Sequence, residues 1–149
     1  MWKSKLIEVT AYLLVFLFVY TALSKWFTYD IYLYDLTRSP ELGRFALPIS
    51  ILIPGSELLA AVLLIMPSKR KWGFMLSLLL MTMFTLYVAY VLIFAESLPC
   101  TCGGIIRDLT WPQHLVFNIF FTFLAALGVL YYKRNDFTSR SSVGSAALK

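Results

Sequence analysis

The chain has 149 residues, of which 60% are hydrophobic and 14% charged, and a formal net charge of +5. Soluble domains are roughly 45–50% apolar and about 25% charged, so these proportions exclude an ordinary soluble enzyme and a disordered chain. Two cysteines are too few for a secreted disulfide scaffold.

Runs free of Asp, Glu, Lys and Arg set the organisation. Val9 to Ser24 is the first, Phe45 to Ser68 the second with Glu57 its one interruption, Trp72 to Ala95 the third and Leu109 to Tyr132 the fourth. A bilayer core of about 30 Å needs roughly 20 apolar residues as helix. The last three runs reach that length, and the first does so once Leu6 and Ile7 are added with Glu8 at the interface. The runs are continuous rather than alternating, which argues against barrel strands. The expected fold is an all-α, integral membrane four-helix bundle with spans near residues 6–26, 46–67, 72–95 and 111–132, in a domain covering 1–134. The first span is read as a retained helix and not a cleaved signal, because it is long and aromatic. Between the first two spans, Lys25 to Arg44 carries Tyr29, Tyr32 and Tyr34 near Asp30 and Asp35, which suits a short interfacial helix. The segment 135–149 is rich in Ser, Gly and Ala without apolar period and is expected to be disordered.

Four spans put both termini on one side of the membrane. That side holds Lys3, Lys5, Lys69, Arg70, Lys71, Lys133, Arg134, Arg140 and Lys149, against Lys25, Arg38, Arg44 and Arg107 on the other. Basic loops stay in the cytoplasm, so both termini are expected there, in a bacterial inner membrane. The positive charge is thus a topology signal, with the lipid bilayer as partner and no nucleic acid implied.

Cys100-Thr101-Cys102 falls in the outer loop between the third and fourth spans, between Pro99 and Gly103-Gly104. A bridge across one residue bends the backbone tightly, and glycines make such a turn accessible. It gains little loop entropy, so it is a poor staple. Its strain would raise the reduction potential above the roughly −300 mV of structural bridges. A redox pair, a copper(I) site and inert thiols are the three readings open at this point; two cysteines and one histidine fall short of a zinc site, and no metal is assigned. His114, the only histidine, opens the fourth span behind Trp111 and Pro112. Four residues on, Asn118 shares its helix face. His114 either moves protons during thiol exchange, hydrogen-bonds a quinone carbonyl together with Trp111 and Asn118, or is an interfacial residue without chemistry. Glu57 lies inside the second span after Pro54-Gly55-Ser56, where the helix is expected to open. A carboxylate there is costly. Lys25, at the outer end of the first span, is its natural partner, and the pair either orients two helices or relays protons.

Several of these motifs resemble the DoxX/MauE superfamily: Val19-Tyr20-Thr21-Ala22-Leu23-Ser24-Lys25, the outer segment leading to Ser39-Pro40, and Pro54-Gly55-Ser56-Glu57-Leu58-Leu59. Pro99-Cys100-Thr101-Cys102-Gly103-Gly104, followed by Trp111 and Asn118, is similar more narrowly to the MauE branch. The resemblance covers roughly residues 5 to 133. It implies a four-helix membrane protein associated with redox reactions, with Cys100 and Cys102 as the redox pair. MauE itself supports maturation of methylamine dehydrogenase, whose small subunit is dense in disulfides. DoxX is a small subunit linked to a terminal quinol oxidase.

The leading functional expectation is thiol–disulfide electron transfer through Cys100 and Cys102, in support of the maturation of exported proteins. A thioredoxin-like or disulfide-containing periplasmic protein would be the partner, and a quinone in the bundle a cofactor. The alternative is a non-catalytic membrane subunit or scaffold of an oxidase or export complex. A copper-chaperone role comes third. The charge asymmetry itself predicts that a cytoplasmic reporter is active when fused at Lys71 and a periplasmic reporter when fused at Glu96. Periplasmic activity at Lys71 would overturn the orientation.

Overall fold

The computed structural model describes residues 2–39, 42–94 and 110–146, with side chains over 5–39, 42–94, 110 and 112–132. Helix α1 is Trp2–Phe27, α2 is Tyr29–Arg38, α3 is Ala46–Ile65, α4 is Arg70–Phe94 and α5 is Trp111–Ala146, with a 3-10 turn at Gly43–Phe45 before α3. The described residues contain no strand. In hydrocarbon every backbone N–H and C=O must be paired within the chain, and a continuous apolar run achieves this as a helix. Four stretches are long and apolar enough to cross a membrane: Lys5–Phe27, Gly43–Ile65, Arg70–Phe94 and Pro112–Tyr132.

These helices are apolar on their outer faces as well as inside. Phe16, Leu52, Leu86, Ile93 and Val116 are all exposed. A water-soluble protein rarely shows apolar surface on that scale. The helices form a closed ring in which α1 packs on α3 and α5, and α4 packs on the same two. Leu14, Phe18, Leu64, Phe74 and Met81 fill its centre. Lipid tails are as apolar as leucine, so the helices associate through close packing and interhelical hydrogen bonds. Ala11, Ala60, Ala61 and Ala125 are buried at the helix contacts. A Cβ at Gly73 would stand 2.7 Å from the backbone N of Leu64, so that glycine sets how closely α4 approaches α3. Thr85 Oγ1 and Thr122 Oγ1 lie 2.9 Å apart and link α4 to α5.

The α3–α4 turn and the α5 segment near Tyr132 share one end of the bundle. Arg70 Nε donates to Leu64 O at 3.0 Å, and Tyr132 Oη donates to Pro67 O at 3.4 Å. At the opposite end α2 follows α1 almost without a break and lies against α3. Its spacing explains its seat: Tyr32 and Leu36, four residues apart, are buried, while Tyr34 and Arg38 face outward and bond each other at 2.9 Å. Tyr29 Oη is 3.0 Å from Ser50 Oγ and fixes the start of α2 to α3.

Two expectations need correction. Helix α3 does not open at Pro54-Gly55 but runs unbroken from Ala46 to Ile65. Pro54 removes a single backbone donor, and opening the helix would unpair several more groups in hydrocarbon. The expected disordered tail is instead helical as far as Ala146. Nothing after Pro112 in that stretch is a proline, so the α5 backbone meets no obligatory stop.

A Cβ on Gly128 would come within 2.3 Å of the buried Phe74 ring, whereas one on Gly55 meets nothing within 4 Å. Gly128→Leu is therefore expected to destabilise the bundle by about 1–3 kcal/mol. Gly55→Ala should be neutral or stabilising by up to ~1 kcal/mol. Thermal melting of both variants in detergent checks the contrast.

Candidate functional site: a polar cavity at the α2 end of the bundle

Each of the four spanning helices brings a polar side chain to one cavity of about 270 Å³ at the α2 end: Lys25 from α1, Glu57 from α3, Tyr87 from α4, and His114 and Asn118 from α5. Thr21 of α1 also lines it, its hydroxyl donating to Phe18 O at 3.2 Å, and most of the remaining wall is apolar, including Phe18, Ile53, Met81 and Phe84. Tyr32 and Leu36 of α2 cover it.

Lys25 and Glu57 meet directly, with Nζ donating to Oε1 at 2.6 Å. The Glu57 side chain is 1% exposed and that of Lys25 13%. The pair is reached because Lys25 sits in the last turn of α1 and its flexible stem can lie along apolar wall. The ammonium also lies 5.6 Å from the Phe84 ring centroid, within cation–π range. The other carboxylate oxygen, Glu57 Oε2, is buried without a hydrogen-bond partner, as are Tyr87 Oη and Asn118 Nδ2.

The start of α5 is set by its own sequence. Thr110 N donates to Gln113 Oε1 at 3.0 Å, and His114 N donates to Thr110 O at 2.9 Å. Thr110 and Gln113 are spaced as a capping box, and Pro112 occupies the first turn, where it costs no helical hydrogen bond. That start fixes the helix phase, so His114 and Asn118 both point inward, 7% and 4% exposed. Thr122 Oγ1 donates back to Asn118 O at 2.7 Å.

Of the residues singled out by sequence, Lys25, Glu57, His114 and Asn118 line the same cavity. Trp111 opens α5, but its side chain lies outside the described residues, as do Cys100 and Cys102. Sequence reasoning passed over Tyr87, and it expected the short helix α2 but not its seat over the cavity. The only signal for Tyr87 was a hydroxyl within an apolar run, and the same run contains Tyr90.

Removing one member of a buried ion pair leaves an uncompensated charge and costs about 3–5 kcal/mol. Lys25→Met and Glu57→Leu are each expected to destabilise the folded bundle by about that amount. The combined variant should recover most of the loss, because no charge then remains to be buried. Melting temperatures of the three variants in detergent decide it. A Glu57→Leu protein as stable as the parent would show that the pair does not hold the helices.

The family model for methylamine utilisation protein MauE matches residues 3–131. No curated protein and no solved structure matches the chain. The matched segment takes in the four spans as far as Tyr131 and every residue of the polar cavity, and the chain belongs to the MauE family.

Proposed function

We propose that this membrane protein transfers electrons by thiol–disulfide exchange through Cys100 and Cys102, in the service of exported proteins that mature by disulfide chemistry. The observation that carries the reading is the convergence of polar groups at one end of the bundle. The chain leaves α4 at Phe94 and re-enters α5 at Thr110 at that same end, and the connection between them contains both cysteines. Membership of the family described as methylamine utilisation protein MauE is consistent with this reading.

The exchange balances in two steps. A thiolate of the reduced, dithiol form of a thioredoxin-like or disulfide-forming periplasmic partner attacks one sulfur of the Cys100–Cys102 disulfide. This forms a mixed disulfide and releases the other sulfur as thiolate. The partner's second thiolate then resolves the mixed disulfide, so the partner is oxidised and the Cys100/Cys102 pair holds two electrons and two protons. Those pass to a quinone in the bundle or to a second protein. His114 is the group on hand to carry a proton between the loop and the cavity. The basic surplus at Lys69–Lys71 and the chain ends supports an inner-membrane location with cytoplasmic termini, which puts the cysteines in the oxidising compartment.

Thiol trapping of whole cells, read as a mass shift, should show both dithiol and disulfide forms of the pair. A variant retaining only one of Cys100 and Cys102 should accumulate a mixed disulfide with its partner. If the pair stays in one redox state under all growth conditions and no mixed disulfide can be trapped, the chain is a scaffold subunit and not a carrier.

A further inference from the structure

Buried polar atoms without partners cost about 1–3 kcal/mol each, and three of them belong to residues that line one cavity: Glu57 Oε2, Tyr87 Oη and Asn118 Nδ2. Glu57 and Asn118 are almost wholly buried, so open solvent does not supply the missing bonds. Their chemistry is complementary. Glu57 Oε2 accepts only, Asn118 Nδ2 donates only, and Tyr87 Oη does either. The Lys25–Glu57 pair leaves the cavity close to neutral, which disfavours an ionic ligand. Most of the rest of the wall is apolar, and about 270 Å³ is close to the lower end of small-molecule sites.

We infer that this cavity binds the ring of a lipid-soluble quinone and its quinol, with Glu57, Tyr87 and Asn118 as the recognition groups. Asn118 Nδ2 and Tyr87 Oη donate to the carbonyl oxygens of the quinone. In the quinol, a ring hydroxyl donates to Glu57 Oε2. Both redox forms therefore find partners without moving a helix, as an electron acceptor that binds oxidised and leaves reduced requires. The inference deepens the electron-transfer reading and rests on it only for the source of the electrons. In that step the Cys100/Cys102 dithiol loses two electrons and two protons to become a disulfide, and the quinone gains both to become the quinol.

The test uses the full chain in detergent, with a short-chain benzoquinone, its reduced form, and p-xylene as an apolar ring of similar width. Binding is read by equilibrium dialysis and by the ligand-induced rise in melting temperature. Both redox forms should bind saturably, and p-xylene should bind more weakly than either. Tyr87→Phe and Asn118→Leu each remove an unpartnered polar atom. They should leave the ligand-free protein as stable as the parent or more so, while weakening quinone binding by roughly threefold to tenfold. Residues with a merely structural role would behave in the opposite way, lowering ligand-free stability and leaving affinity alone. Equal binding of p-xylene, absence of saturable binding, or affinities unchanged in both variants would each overturn the assignment. The Cys100→Ser, Cys102→Ser double variant keeps the two readings apart. It should bind quinone as the parent does even if the thiols prove inert, and its failure to bind would overturn a site formed by the cavity alone.

Discussion

The carboxylate of Glu57 sits in the middle of an apolar helix, and the contact that makes it tolerable is a single ammonium 2.6 Å away on another helix. Charge inside a bilayer is costly unless it is paired or reaches water. That requirement fixes the last turn of α1 against the middle of α3 and sets the depth at which α1 must end. Much of the α2 end follows from this. With Lys25 turned inward, the chain leaves α1 at the rim of the bundle, and α2 folds back over α3 with Tyr32 and Leu36 beneath it. The bonds from Tyr29 to Ser50 and from Lys25 to Glu57 tie the two connected helices, α1 and α2, to the same face of α3.

The two halves of the bundle are built on different physics. Near the α3–α4 turn the helices touch through Gly73, Gly128, Ala60 and Ala125, and buried apolar side chains fill the core. Toward α2 the small residues give way to Lys25, Glu57, Tyr87, His114 and Asn118, and a cavity opens among them. A fold optimised only for stability would place apolar side chains at these positions. Replacing buried ionic groups with apolar ones is often neutral or stabilising. Retained polar groups around a cavity, in a chain of the MauE family, fit a site that does something.

The spans were legible in the sequence because in hydrocarbon a run without charge has one stable backbone form, and such runs cover most of residues 6–132. The Lys25–Glu57 contact was legible for a related reason: an acid inside an apolar run needs a base within reach, and Lys25 closes the neighbouring span on a long flexible stem. Local chemistry misled where the environment outweighed it. Pro54-Gly55 reads as a break in water, but in a bilayer the helix continues through it. Tyr87 could not be singled out, since its significance comes from the three other helices that face it and not from its own neighbours. The Thr110-x-x-Gln113 cap was present as a pattern, and it decides that His114 and Asn118 turn inward.

In the proposed electron path, the cysteine pair of the α4–α5 connection passes its electrons to the polar cavity at the α2 end of the bundle. The most direct test is stoichiometric. The full chain, with Cys100 and Cys102 reduced and excess reductant removed, is mixed with a short-chain benzoquinone in detergent under anaerobic conditions. Quinol and protein thiols are then counted together. The account predicts one quinol formed and one disulfide gained per chain, and no quinol from the Cys100→Ser, Cys102→Ser variant. Thiols that stay reduced beside unreacted quinone would contradict it.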